Sequence, residues 1–371
     1  MSGEITLSPE TKQKIIKALT IIISVYLFLL SIKLLGHSFK LFGKEFAEAM
    51  LQMTSNPFTG LIIGIVSTSI IQSSSTTTSI VVGLVAGGVL NLDTAIPIIM
   101  GANIGTTITN ALVSFGHIGR KAEFRRAFPA AIVHDFFNLF TVIILFPIEL
   151  NFHIIAKSAT FLENIFSGIG GMKMFNPLKI ILDPAIDLID SIFINMPFYN
   201  ITLMLASIIM LFVALTFLVK TIRSLVLDKL EIIINNYLFR NDFLSLILGI
   251  LMTAIVQSSS VTTSLIIPLA GAGVISIRQI FPYTLGANIG TTVTAILAAL
   301  ATQNPVAITV AFSHLCFNVF GILIFYPLKM LPIGLAEYIG ENASKSRKNL
   351  IIFIVSFLMI YIIPLLIIIF T

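Results

Sequence analysis

QSSSTTTS at residues 72–79 and QSSSVTTS at residues 257–264 agree at seven of eight positions and stand 185 residues apart. Each lies mid-way along an otherwise apolar stretch, 57–90 and 243–275, that holds no Asp, Glu, Lys or Arg. A membrane helix broken at its middle exposes backbone groups that cost several kcal/mol each unless protein or a water-filled cavity satisfies them. Serine and threonine suit such a break, because their hydroxyls cap the half-helix that follows and satisfy its first N–H groups. That helix start also aims a partial positive charge at the break and favours an anion there. Each stretch therefore reads as a re-entrant hairpin with a polar tip.

Outward from the tips the duplication continues. GANIGTT at 101–107 recurs at 286–292 with the same offset, and Pro97 matches Pro282. With five residues lost, His134 and Asn138 match His314 and Asn318, and Pro147 matches Pro327. The chain is read as two repeats, 1–150 and 197–330, joined by an extracellular connection, 151–196, and followed by a loop and an unpaired final span in 331–371. Ordinary spans are expected near 15–35, 94–115, 127–149, 197–219, 279–300, 306–328 and 349–370, each close to the about 20 apolar residues that a crossing needs. The first of these is too long for a signal-peptide core and lacks a small-residue cleavage site, so it reads as a retained span.

Composition agrees. Of 371 residues, 57% are hydrophobic and 11% charged, and mean hydropathy is +1.03. No water-soluble fold hides that much apolar surface, so the chain is an all-α polytopic membrane protein. A net charge of +5 does not point to nucleic acid, because the basic residues are scattered between apolar blocks rather than gathered on one face. The single cysteine, Cys316, excludes an intrachain disulfide and reads as a packing residue.

If the hairpins make no net crossing, 16 of the 22 basic residues fall on the side of the N-terminus, which becomes cytoplasmic by the positive-inside rule. Each repeat then crosses three times, an odd number, so the second enters from the opposite side: an inverted-topology repeat with two re-entrant helical hairpins. The inner or plasma membrane is the expected location. Arg125 and Arg126 read as orientation anchors.

The candidate binding residues are Gln72, Ser73, Ser74, Ser75, Thr76 and Thr77 at one tip and Gln257, Ser258, Ser259, Ser260 and Thr262 at the other. Asn103, Thr106 and Thr107, with Asn288, Thr291 and Thr292, join them from the paired heptapeptides, where two glycines are expected to weaken the helix and each asparagine offers a carbonyl oxygen. His134, Asn138, His314 and Asn318 are candidates for ion coupling or for helix-to-helix hydrogen bonds. Asp135 lacks a counterpart in the second repeat and reads as structural.

The paired QSSS motifs, IPIIMGANIGTTITN at 96–110 and the EFRRAF and VHDFFN segments within 123–138 resemble the type II sodium-dependent phosphate cotransporters and their bacterial relatives. The resemblance covers both repeats. It implies a secondary active transporter that moves sodium and inorganic phosphate together, needs no cofactor, and holds residues 72–75 and 257–260 in its transport site.

The residues agree with that implication on their own chemistry. None of the candidate elements carries Lys or Arg, so a phosphate dianion would meet only hydroxyls, amides and helix dipoles. Desolvating an unpaired ion costs tens of kcal/mol in the Born limit. Neutral oxygens are ligands that a hard monovalent cation accepts, so co-bound sodium is the simplest neutraliser, and each ion then binds well only with the other. Another oxyanion or a small dicarboxylate remains the alternative cargo, although no Arg is placed for bidentate carboxylate capture. A hydrolase using a tip serine lacks a G-x-S-x-G elbow and has no use for two nucleophiles, and a channel does not need the inverted repeat.

Overall fold

The computed structural model describes residues 8–171, 176–233 and 241–370, so Lys173 and Arg240, both used in assigning orientation, lie outside the described residues. Every described element is a helix. The first repeat runs α1 (Pro9–Lys40), α2 (Lys44–Met53), α3 (Pro57–Ile71), α4 (Ser74–Ala86), α5 (Leu92–Gly105), α6 (Ile108–Phe115) and α7 (Lys121–Phe152). The connection holds α8 (Ile154–Gly168) and α9 (Asn176–Phe193). The second repeat runs α10 (Tyr199–Ile233), α11 (Asp242–Val256), α12 (Ser259–Ser264), α13 (Ile267–Ala272), α14 (Ile277–Thr302) and α15 (Pro305–Phe325), and α16 (Met330–Lys345) and α17 (Arg347–Phe370) follow.

Among the described residues, six helices are long and apolar enough to cross a membrane when α5 and α6 are taken as one, and they match the first six expected spans. The seventh expected span is also helical, as α17. The arms beside the polar tips are shorter. At about 1.5 Å per residue, helices of 13 to 15 residues reach about 20–23 Å, well short of the roughly 30 Å hydrocarbon layer.

The structure adds to the sequence reading at several places. The connection 151–196 and the expected loop at 331–348 contain helices. Each of these helices is shorter than the about 20 residues of a span and carries two or more charges, so a search for unbroken apolar stretches passes over it. The buried Glu149 carboxylate accepts from the N–H groups of Ile155 (2.6 Å) and Ala156 (3.1 Å) at the start of α8. Across the connection, Lys33 pairs with Asp183, and His37 (3.0 Å) and Tyr199 both reach Asp190. Arg125 and Arg126 also have partners: Glu341 at 3.0 Å on α16, and the carbonyl of Gly271 at the end of α13.

A further finding concerns the glycines, which admit a neighbouring backbone. A Cβ on Gly101 would lie 2.0 Å from the carbonyl oxygen of Leu61, and one on Gly64 2.0 Å from that of Ile98. In the second repeat the same holds for Gly286 with Leu246 (2.0 Å) and Gly249 with Tyr283 (2.1 Å). These positions are what let α3 lie backbone-to-backbone on α5 and α11 on α14, the close approach that small residues allow between membrane helices.

The second arms behave differently. Besides its own repeat, α4 packs on α14 and α15, while α13 packs on α7. Val81, Val82 and Val85 of α4 share one core with Ala295, Ala298 and Val310 of the second repeat. Each tip is thus carried on a first arm fixed to its own repeat and a second arm lodged in the other.

Candidate functional site

Both breaks are built alike. α3 ends at Gln72 with φ 57° and ψ 27°, and α11 at Gln257 with φ 60° and ψ 23°. A left-handed residue bearing a Cβ stores about 1–2 kcal/mol. Ser73 and Ser258 return to extended backbone, and their hydroxyl oxygens accept from the N–H of Thr76 (3.2 Å) and of Val261 (3.4 Å). This is the hydroxyl cap expected from the sequence. Thr77 and Thr262 tie the second arm to the first through Thr68 (3.0 Å) and Thr253 (2.7 Å).

The two tips meet. The Ser75 hydroxyl donates to the backbone carbonyl of Gln257 at 3.2 Å, and the Ser260 hydroxyl donates to that of Gln72 at 3.4 Å. The first-turn amides of α4 and α12, Ser74 and Ser75 on one side and Ser259 and Ser260 on the other, therefore converge. Such amides have no carbonyl four residues back within their own helix.

Around the tips, side chains cross between repeats. His134 Nε2 lies 2.6 Å from Asn288 Oδ1, and His314 Nε2 lies 3.4 Å from Asn103 Oδ1. Asn288 donates to Asn138 Oδ1 (2.8 Å), and Asn138 donates to the Asn103 carbonyl (2.7 Å). The fourth member breaks the symmetry, since Asn318 donates to His314 of its own helix (3.0 Å). All six residues are buried. Each heptapeptide asparagine is thus held by the histidine of the opposite repeat.

Not every candidate reaches the tips. Thr106 and Thr291 donate to the carbonyls of Ala102 (2.9 Å) and Ala287 (3.0 Å) one turn back, and Thr292 donates to that of Ile289 (2.7 Å). Thr107 sits at the gap between α5 and α6 and faces Asp135. Conversely, three contributors escaped the sequence reading. Thr294 donates to Gln257 Oε1 at 2.7 Å, and Thr263 donates to Asn110 at 3.0 Å, a further crossing between repeats. The signal for the first was available, because Thr109 and Thr294 obey the same offset of 185. Tyr361 of α17, which donates to Asp135 at 2.9 Å, is the third.

The tips also differ. Gln257 is 8% exposed and held on Thr294, whereas Gln72 is exposed and the hydroxyl of Thr109, the counterpart of Thr294, is buried without a partner. Thr76 donates to Ser73 Oγ (3.0 Å), and Val261 supplies no hydroxyl in its place.

Duplicated helical repeats whose broken arms interlock around one polar centre make the chain a polytopic helical membrane protein. A model of the Na+/Pi-cotransporter family matches residues 27–174 and 210–336. The chain is 34% identical to sodium-dependent phosphate transport protein 2A of Rattus norvegicus over 90% of its own length, and 32% identical to protein 2B of Homo sapiens over 92%. It spans 64% and 63% of those relatives. No solved structure matches. The chain belongs to the Na+/Pi-cotransporter family.

Proposed function

We propose that this protein couples inward sodium movement to uptake of inorganic phosphate by alternating access, and that the touching tips hold the phosphate. The observation that carries the reading is the reciprocal pair of hydrogen bonds, Ser75 to Gln257 and Ser260 to Gln72, which brings two capped helix starts to one point. Oriented amides and the hydroxyls of residues 73–75 and 258–260 can surround an anion there, and sodium supplies the missing positive charge. Sodium-dependent phosphate transport is what the names of the relatives state.

In this reading residues 57–90 and 243–275 are re-entrant hairpins opening to opposite faces, the repeats 1–150 and 197–330 are inverted, and the N-terminus is cytoplasmic in the cell membrane. The contrast between Gln72 and Gln257 then marks one end of the transport cycle. Opening to the other face releases Gln257 from Thr294 and seats Gln72 on Thr109.

Two measurements test this. Proteoliposomes should accumulate labelled phosphate with sodium outside and not with potassium, and excess arsenate should compete where sulfate does not. Equal uptake in both cations would remove the coupling, and strong inhibition by succinate would move the cargo to dicarboxylates. Asn56 and Asn241, the exposed cap residues of α3 and α11, occupy matching places 185 residues apart. With Cys316→Ala as background, Asn56→Cys and Asn241→Cys should react with an impermeant thiol reagent from opposite faces. Reaction from one face would overturn the inverted arrangement.

A further inference from the structure

The second arms of the two hairpins align residue for residue but differ in backbone. In the first repeat α4 runs unbroken from Ser74 to Ala86, whereas in the second the helix stops at Ser264 and restarts at Ile267 as α13. The sequence supplies the cause, because Pro268 stands where the first repeat has Gly83. A proline in mid-helix has no N–H for the carbonyl four residues back, here that of Ser264, and its ring crowds that carbonyl. At the gap the Ile266 N–H donates to the Thr263 carbonyl at 3.3 Å, one residue short of the helical partner Thr262. The Thr262 carbonyl so released accepts from the Tyr283 hydroxyl of α14 at 3.3 Å, and Tyr283 replaces Ile98 of the first repeat. A break in a membrane helix persists where a neighbouring side chain satisfies the freed backbone in this way.

The two halves of the broken arm are attached differently. The inner half, α12, carries the tip with Ser258, Ser259 and Ser260. The outer half, α13, is fastened to the first repeat at its far end. There Arg126 of α7 donates through Nε (2.9 Å) and Nη2 (2.6 Å) to the Gly271 carbonyl, a last-turn acceptor with no donor in its own helix. A Cβ on Gly271 would lie 3.2 Å from the His117 ring and 3.4 Å from the Ala127 side chain, so α13 is seated closely. His117 is itself held by Glu123 at 2.8 Å. Val306 stands at the place of Arg126 in the second repeat, so α15 offers α4 no such clasp.

We propose that Arg126, Pro268 and Tyr283 are positioning residues for transport: Arg126 holds α13 against α7, while Pro268 and Tyr283 keep a hinge at Leu265 and Ile266 on which α12 and its tip swing to open one side of the site. The first repeat has no such hinge, and α4 moves as one rod. The inference rests on the alternating-access reading above and adds that the two gates differ in kind, a hinged half-arm in one repeat and a whole arm in the other.

Backbone hydrogen exchange of the purified full-length protein, read by mass spectrometry, tests the hinge together with uptake in proteoliposomes. In the wild type without phosphate, amides 262–266 should exchange about tenfold faster than amides 270–274, and sodium with phosphate should slow the first group alone. Pro268→Ala, which restores the missing N–H, should erase that contrast and cut the maximal rate of sodium-driven uptake about fivefold. Its phosphate KM should stay within about twofold, and its thermal midpoint should be no lower than that of the wild type. Tyr283→Phe removes the hydroxyl that draws off the Thr262 carbonyl and should slow uptake about threefold, so either variant decides the matter if the other fails to fold. Arg126→Gln should raise exchange at 270–274 to the rate of 262–266. Equal exchange of the two halves in the wild type, or wild-type uptake by both Pro268→Ala and Tyr283→Phe, would overturn the hinge. A slow Pro268→Ala protein with a lowered midpoint would also overturn it, since the proline would then serve packing. Failure of the wild type to take up phosphate would instead count against the proposed function, and the exchange contrast without phosphate would still decide the hinge.

Discussion

Gly286→Ala is expected to yield little or no folded protein. The added Cβ would sit 2.0 Å from the Leu246 carbonyl oxygen and 2.9 Å from its carbon, and neither is the end of a flexible side chain. Relief requires α11 and α14 to separate by more than an ångström along their contact, which strips neighbouring atoms of dispersion as well. Overpacking against movable side chains costs about 1–3 kcal/mol, and a backbone obstacle costs more, against a total stability of about 5–15 kcal/mol. Gly101→Ala meets Leu61 in the same way and should behave alike. Gly334→Ala, with nothing within 4 Å of its added methyl group, serves as the control. Size-exclusion profiles and thermal midpoints in detergent give the readout, and a monodisperse Gly286→Ala protein with a wild-type midpoint would refute the close backbone contact.

The second large effect concerns Gln257, where backbone and side chain can be varied separately. Gln257→Ala keeps a Cβ in the left-handed turn and removes the amide that Thr294 holds, whereas Gln257→Gly removes the amide and relaxes the turn. A buried partner left unpaired costs about 1–3 kcal/mol, and more against a charge, and each 1.4 kcal/mol is about tenfold in binding. Sodium-driven phosphate uptake should therefore fall about tenfold or more in both variants at equal protein level. The glycine variant should unfold at the higher temperature, since it sheds the αL penalty of about 1–2 kcal/mol. Normal transport by both would mean that the tip amide is a packing element and that the tips do not hold the cargo.

Much of this molecule was legible because the same words appear twice. QSSS and GANIGTT located the breaks, their serine caps and the helices that carry them, since a polar cluster amid apolar residues has few stable uses in a bilayer. Spacing could not reveal what the heptapeptide glycines do. Gly101 and Gly286 look identical whether they loosen a helix or admit a neighbour, and only the position of Leu61 and Leu246 decides. The crossed pairing of His134 with Asn288 and His314 with Asn103 was hidden for a related reason: each histidine answers a residue about 150 to 210 positions away, and no local pattern records which repeat it faces. Most telling is the gap at Thr106 and Thr107. Seven identical residues are continuous helix in one repeat and interrupted in the other, so the difference resides in their surroundings rather than in their sequence, and Thr107 at the gap faces Asp135.

The exchange of second arms has a consequence for how the chain is made. The surface that α4 needs is supplied by α14 and α15, roughly 200 residues further along, which at about 5–20 residues per second means a wait of about 10–40 s during synthesis. Through that interval the first tip has only the α1, α3 and α5 side of its lodging, and the face that the second repeat will cover must be sheltered by lipid, water or the insertion machinery. Neither repeat is a finished object on its own, and a fragment ending at residue 196 would keep an empty slot for the arm it never receives.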